Sequence, residues 1–185
     1  NDGRVILPSS GRIYRYVGQT EQEQRRADFL GNITGGLLSG AGKAFKEIQP
    51  GNMPDLGENF AAAINPFDNE LLLFGKGQLH RLKPTDDGTY SLSQSRDFGT
   101  DDSAVVDVAG QHAVLALASG TIHVLNSETL ETVHQQQLAE GVLPRVCTGA
   151  PDGSSLAVLT HAETILLFDG NSGQPIAWQP PENGS

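Results

Sequence analysis

Short apolar runs of strand length recur along most of the chain, and turn-forming residues separate them every few positions. In the last third the runs cover residues 156–159 and 164–168, between the turns at Asp152-Gly153 and Ser172-Gly173. Asp-Gly and Ser-Gly pairs supply the positive φ that tight hairpin turns require. The pattern predicts antiparallel strands that follow one another as a meander.

The strand pattern repeats at a constant spacing. Ile122 and Ile165 each follow the turn into a third strand and are 43 residues apart, and Leu79 lies 43 residues before Ile122. Repeats of about 40–45 residues are the signature of propeller blades. Ile13, in an alternating hairpin over residues 3–17, precedes Leu79 by one repeat plus 23 residues, which predicts an insertion between them.

Residues 151–178 resemble the blades of WD40-type and quinoprotein-like β-propellers. The resemblance rests on Asp152-Gly153, the strands at 156–158 and 164–168, and Ser172-Gly173 before Trp178. It extends over about residues 3–17 and 58–180, although Phe168-Asp169 stands where WD40 blades carry Trp-Asp. The resemblance implies an all-β fold of four-stranded antiparallel blades and, for most relatives, a scaffolding role.

We therefore predict a single propeller-type domain, or a segment of a larger propeller, with about three and a half blades. The predicted parts are a partial blade over 1–17, a helical insertion over 20–55, and blades over 58–98, 99–138 and 139–180. Closed propellers usually have four to eight blades. Either the chain belongs to a larger propeller, or it closes as a distorted four-blade ring with the helices filling a gap. An open array would leave apolar blade faces exposed.

The insertion carries two helix signals. Thr20 and Glu23 form a capping box, which predicts a helix to about Leu30. A second amphipathic helix, ended by Pro50, is predicted from apolar residues at three- and four-residue spacing. Its face packs against the propeller, docks a partner or contacts a membrane surface, although only Lys43 and Lys46 lie on its polar side. The candidate docking residues are Leu37, Leu38, Ala41, Phe45 and Ile48.

Composition and charge narrow the classes of partner. The formal net charge is −10, and an acidic domain repels phosphate backbones, so we do not expect nucleic-acid binding. The sequence has no run of 18 apolar residues, so we expect no membrane-spanning segment in it. We therefore do not expect the membrane to be a direct partner. The single cysteine, Cys147, excludes an internal disulfide and is predicted to be a buried apolar residue.

The candidate nucleotide-binding and metal-binding motifs lack the residue spacing that such sites need. The glycine-rich residues 35–44 lack the phosphate-loop spacing, and Ala44 offers no hydroxyl to Mg²⁺. The acidic residues near Asp101-Asp102 lack the alternating ligands of a calcium loop. Five histidines are scattered through the repeats, at positions 80, 112, 123, 134 and 161. We therefore predict no catalytic, cofactor-binding or metal-binding residues.

The leading functional hypothesis is a non-enzymatic interaction or scaffold module. Its expected partner is another protein or the remainder of its own propeller, and a homodimer stays open. One alternative is a soluble sensor or ligand-binding domain of a membrane-anchored, transporter-like bacterial protein. Another is a fragment of a quinoprotein-like propeller enzyme. The sequence leaves open whether the chain works in the cytoplasm or as an extracytoplasmic domain.

Overall fold

The computed structural model describes residues 6–9, 12–16, 45–48, 54–57, 60–65, 67–86, 90–99 and 103–177. Every regular element within these ranges is a β-strand. The first eight are β1 (Ile6–Ser9), β2 (Arg12–Tyr16), β3 (Phe45–Ile48), β4 (Ala61–Ile64), β5 (Leu71–Gly75), β6 (Gln78–Pro84), β7 (Tyr90–Asp97) and β8 (Ala104–Ala109). The other seven are β9 (His112–Leu117), β10 (Thr121–Asn126), β11 (Thr132–Gln137), β12 (Pro144–Gly149), β13 (Ser155–Thr160), β14 (Ile165–Asp169) and β15 (Pro175–Ile176).

The strands form four antiparallel sheets, each built from strands that follow one another in the chain. Sheet 1 has three strands, β1 to β3, whereas sheet 2 (β4–β7), sheet 3 (β8–β11) and sheet 4 (β12–β15) have four each. Sheets 2, 3 and 4 lie within the three predicted blades. A membrane-spanning helix is absent from the part of the chain that the structure describes.

The sheets pack face to face through their first strands. β1 contacts β4, β4 contacts β8, and β8 contacts β12. Four-stranded meanders arranged side by side through their first strands are a propeller-like arrangement. The predicted all-β fold of four-stranded antiparallel blades is confirmed.

The junction between sheets 2 and 3 and the junction between sheets 3 and 4 each bury an apolar core. Between sheets 2 and 3 the core includes Phe74, Leu79 and Leu115, and between sheets 3 and 4 it includes Ile122 and Phe168. Burying one side chain of this size stabilises a fold by roughly 1.5–3 kcal/mol. A third core lies on the other face of sheet 2 and contains Leu56, Leu71, Leu73, Leu82 and Tyr90.

The predicted second helix is wrong at its C-terminal end. Phe45–Ile48 forms β3, which pairs with β2 so that Phe45 lies opposite Tyr16 and Ile48 lies opposite Ile13. A ladder of backbone hydrogen bonds to β2 therefore replaces the helical bonds that the apolar spacing predicted, because tertiary pairing overrides a short local pattern. Residues 20–44 and 49–53 of the predicted helical insertion lie outside the described residues.

Candidate functional site

One face of sheet 4 is partly exposed to solvent. Its side chains alternate with those that pack against sheet 3, and it comprises Val146, Thr148, Ala157, Leu159, Ile165, Leu167 and Ile176. We call this surface the Ile165 face. Val146 lies opposite Leu159, and Leu159 lies opposite Ile165, so their side chains form a row across three strands. Val146, Ile165 and Ile176 are 47%, 43% and 41% exposed.

The two central strands of the corresponding face of sheet 3 are completely covered. The residues 43 positions before Ala157, Leu159, Ile165 and Leu167 are Val114, Ala116, Ile122 and Val124, and all four are 0% exposed. They pack against sheet 4 through Leu156, Val158 and Phe168. The Ile165 face thus repeats the chemistry of a blade-to-blade interface, yet in the described structure it is partly exposed.

Polar contacts reinforce the junction between sheets 3 and 4. The Asp107 carboxylate accepts a hydrogen bond from the backbone N–H of Gly149 at 2.7 Å. His112 Nδ1 lies 2.8 Å from the carbonyl oxygen of Gly170 and donates to it. Burial raises the pKa of Asp107 above its ordinary value. Both side chains therefore serve the contact between blades.

Glycines let the two sheets approach closely at two points. A Cβ atom on Gly149 would lie 2.6 Å from the carbonyl oxygen of Val108, which belongs to the backbone of β8. A Cβ atom on Gly173, whose φ is +68°, would lie 2.6 Å from Val133 Cγ2 and 3.2 Å from Val124 Cγ1. Sheet 3 thus presents a shallow socket that accepts a turn without a side chain.

Three side chains of sheet 2 bind consecutive carbonyl oxygens of sheet 3. The acceptors lie in the turn between β10 and β11. Arg81 Nη1 donates to Glu128 at 2.8 Å, Gln94 Nε2 donates to Thr129 at 2.6 Å, and Arg96 Nη1 donates to Leu130. Since such carbonyl groups otherwise need water, these bonds fix the turn of one blade to the surface of the previous one.

Arg81 also forms a largely buried ion pair. Its Nε donates to the carboxylate of Glu70, and the two side chains are only 10% and 12% exposed. Lys83 Nζ lies 3.6 Å from the same carboxylate, but its side chain is 51% exposed. Arg81 therefore neutralises Glu70 inside sheet 2 while it binds sheet 3.

An aromatic cluster fills the same junction. The Phe98 ring lies 5.0 Å from the His123 ring and 6.2 Å from the Phe74 ring, both in edge-to-face geometry. The Arg96 guanidinium lies 4.8 Å above the Phe98 ring. His123 Nδ1 is buried without a hydrogen-bond partner in the described structure, and burial lowers the pKa of this imidazole.

The turns between the first and second strands of sheets 2, 3 and 4 meet at one place. They contribute Phe67, Gly110 and Gly153, which are spaced 43 residues apart. A Cβ atom on Gly153 would lie 3.1 Å from Phe67 Cζ and 3.3 Å from Gly110 Cα. The Phe67 ring, 58% exposed, therefore covers the point at which the three sheets converge.

The structure places two of the five predicted docking residues. Phe45 and Ile48 lie in β3, at the edge of sheet 1. Leu37, Leu38 and Ala41 lie outside the described residues. Because β3 is a strand, a single helical face does not unite all five, and their docking role stays a prediction.

The histidines have separate surroundings. His80 Nδ1 lies 2.8 Å from Ser95 Oγ, whereas His123, at the equivalent position of the next repeat, contacts Phe98. Within the described ranges, no three His, Cys, Asp or Glu side chains are grouped so that they could hold a metal ion. Cys147 is buried between sheets 3 and 4, and this burial raises its thiol pKa well above the ordinary value.

Sequence reasoning did not assign the Ile165 face. The constant spacing places Ile165 at the position of Ile122, and this equivalence is the sequence signal that points to the Ile165 face. The pattern alone predicts an apolar residue at both positions, because local spacing carries no information about which face has a neighbour.

Comparisons with known proteins concern the fold. No protein-family model matches the chain, and no curated protein matches it. Among solved structures, the crystal structure of BamB from Moraxella catarrhalis is similar, with a TM-score of 0.50 and 19% sequence identity. The match covers 63% of this chain and 34% of the BamB chain, so it spans about a third of that protein's length. BamB is a β-propeller, and the likeness shows the propeller-like fold.

Proposed function

We propose that this chain is a non-enzymatic protein-interaction module, a β-propeller segment that binds a partner through the Ile165 face. One observation carries the proposal. Ile165 is 43% exposed, whereas Ile122, at the same position of the previous repeat, is 0% exposed under a neighbouring sheet. A solvent-exposed surface whose residues resemble those of a buried interface marks a binding site.

The chemistry of the face suits a protein surface as partner. Val146, Ile165 and Ile176 are exposed aliphatic side chains on three different strands. Burying one such side chain completely stabilises a complex by roughly 1.5–3 kcal/mol before the costs of association are subtracted. Arg145 and Glu163 are exposed beside the apolar row, as in protein interfaces with an apolar centre and a polar rim.

The buried charged groups support binding rather than catalysis, since they bond to other parts of the fold. Arg81 pairs with Glu70 and binds the Glu128 carbonyl, and Asp107 accepts from the N–H of Gly149. These bonds hold the sheets together, and a rigid stack of sheets presents the Ile165 face without rearrangement.

Site-specific photo-crosslinking in the cells that make the protein tests the proposal. A photoreactive phenylalanine analogue at position 165 should form cross-linked peptides with one defined protein surface, and Leu167→Asp in the same chain should abolish them. The control position is Gln135, an exposed residue of the edge strand β11, at which we expect no defined adduct. Absence of cross-linked peptides at both position 165 and position 176 would refute the proposed function.

A further inference from the structure

We infer that the partner on the Ile165 face is a further four-stranded blade of the same repeat, which packs on sheet 4 as sheet 4 packs on sheet 3. The inference rests on the proposed function and names the partner's chemistry. It follows from the continuity of the interfaces: β8 lies between β4 and β12, so one mode of packing is already used twice in succession.

The apolar contacts of the existing interface define what the partner presents. Ile122 and Val124 of sheet 3 are covered by Leu156, Val158 and Phe168 of sheet 4. Ile165 and Leu167 stand 43 residues later, at the same positions of β14 that Ile122 and Val124 hold in β10. The partner blade therefore places large apolar side chains on two adjacent strands against the Ile165 face, at the positions of Leu156 and Phe168.

A turn socket fixes the register of this contact. In the existing interface, Val124 and Val133 surround Gly173, where a Cβ atom would come within 2.6 Å of Val133 Cγ2. Leu167 stands one repeat after Val124 and belongs to the Ile165 face. We therefore expect a glycine with positive φ in the partner's last hairpin turn, opposite Leu167.

The polar contacts of the existing interface are not repeated. Ala150 stands one repeat after Asp107, and Ser155 stands one repeat after His112. Ala150 carries no carboxylate for a backbone N–H of the partner, and the Ser155 hydroxyl is shorter than the imidazole that reaches Gly170. The new interface is therefore more apolar than the one between sheets 3 and 4.

A chain extended by one repeat tests the inference. A second copy of residues 134–176 is inserted directly after Ile176, where the repeat would continue, so that residues 177–185 still follow. Cys147→Ala in both copies removes the native thiols, and Ile165→Cys in the first copy introduces a single thiol for labelling. Ile122→Cys, in the original and the extended chain, is the matched buried control.

We expect a thiol at position 165 to react rapidly in the original chain and to slow to the rate of the Ile122→Cys control in the extended chain. Phe168→Asp, made in the inserted copy alone, should restore rapid labelling. A second extended chain, with residues 91–133 inserted at the same place, should give the same protection. Rapid labelling at position 165 in both extended chains overturns the inference.

The alternative partner, a second copy of this chain, gives a different result. The thiol at position 165 would then be protected in the original chain, whose native mass would be that of a dimer, and the inference would be overturned. The proposed function fails separately. If photo-crosslinking traps a protein at position 165 but neither inserted blade protects that position, the interaction module stands and the blade-type partner is wrong.

Discussion

The carboxylate of Asp107, in the first strand of sheet 3, accepts a hydrogen bond from the backbone N–H of Gly149, in the first strand of sheet 4, at 2.7 Å. The second carboxylate oxygen accepts from the N–H of Val108 at 2.9 Å. Gly149 approaches β8 so closely that a Cβ atom would lie 2.6 Å from the Val108 carbonyl oxygen. The hydrogen bond between Asp107 and Gly149, and the absence of a side chain on Gly149, thus set the distance between sheets 3 and 4.

Two substitutions of Asp107 distinguish the contribution of its hydrogen bond to stability from the contribution of its charge. Asp107→Ala leaves the N–H of Gly149 without this acceptor and should lower the free energy of unfolding by about 1–2 kcal/mol. Asp107→Asn keeps an acceptor oxygen and should cost less than Asp107→Ala at pH 7. Urea unfolding of the three proteins measures both differences. Equal losses for Ala and Asn would contradict the role of the hydrogen bond.

Asp107 should also make the free energy of unfolding depend on pH. Burial raises the folded pKa of Asp107 above the ordinary value of 3.8, so the folded chain holds this proton more tightly than the unfolded chain. The stabilisation linked to this proton is complete below pH 3.8 and is lost as the pH rises through the raised pKa. The unfolding free energy of wild type relative to Asp107→Asn should therefore fall as the pH rises from 3.5 to 7. A constant difference would contradict the shifted pKa.

Gly149→Ala should destabilise the fold by overpacking. The new methyl group would lie 2.6 Å from the Val108 carbonyl oxygen and 2.9 Å from Ala109 Cβ, so β8 and β12 must move apart. We expect a loss of about 1–3 kcal/mol in thermal or urea unfolding. Arg145→Ala, at an exposed position of the same strand, should change stability by less than about 0.5 kcal/mol. Comparable effects of the two changes would exclude close packing at Gly149.

Arg81→Met should be more damaging than Lys83→Met. The first change leaves the largely buried Glu70 carboxylate without its main partner and should cost about 3–5 kcal/mol. Lys83 reaches the same carboxylate at 3.6 Å from an exposed position, so solvent screening should limit its loss to less than about 1 kcal/mol. Urea unfolding at pH 7 compares them, and a larger loss for Lys83→Met would contradict the ion-pair geometry.

His123→Leu should stabilise the chain by about 1 kcal/mol at pH 7.5, because it removes a buried nitrogen that has no hydrogen-bond partner in the described structure. Burial, with a smaller contribution from Arg96, lowers the folded pKa of His123 below its ordinary value of 6.5. Stability linked to this group is present above pH 6.5 and is lost as the pH falls through the lowered pKa. The advantage of the variant should therefore grow from pH 7.5 to pH 5.

His80 provides the matched control for this change. It occupies the equivalent position of the preceding repeat, but its Nδ1 lies 2.8 Å from Ser95 Oγ. His80→Leu breaks that hydrogen bond and should give no gain in the free energy of unfolding at pH 7.5. A gain for His80→Leu and none for His123→Leu would contradict the difference between the two sites.

The blade strands were predictable from local pattern because turn chemistry and apolar runs recur at one spacing. Ile122 and Ile165 fall in β10 and β14, the third strands of two sheets, as the spacing predicted. The local pattern predicts a helix over Phe45–Ile48, because the apolar residues there extend a helical spacing from residue 37. Its strand partner, β2, is distant in sequence, and pairing over that distance leaves no local signal.

The contacts between blades were not predictable for a similar reason. Arg81 and Gln94 bind backbone carbonyl oxygens of another sheet, and a backbone acceptor has no residue type that a sequence could reveal. Exposure at Ile165 depends on the absence of a covering sheet in the described structure, whereas the sequence shows only that the residue is apolar. The candidate site could therefore be identified only from the way in which the sheets pack.

The unfolding free energies of two matched variants, Ile122→Asp and Ile165→Asp, test most directly whether sheet 4 carries an uncovered blade face. We expect a loss of more than about 4 kcal/mol for Ile122→Asp, because this change buries an unpaired charge between sheets 3 and 4. We expect a loss of less than about 1 kcal/mol for Ile165→Asp, because that side chain is 43% exposed. Equal losses would contradict an uncovered blade face at Ile165, and an unchanged melting curve for Ile122→Asp would contradict the repeat itself.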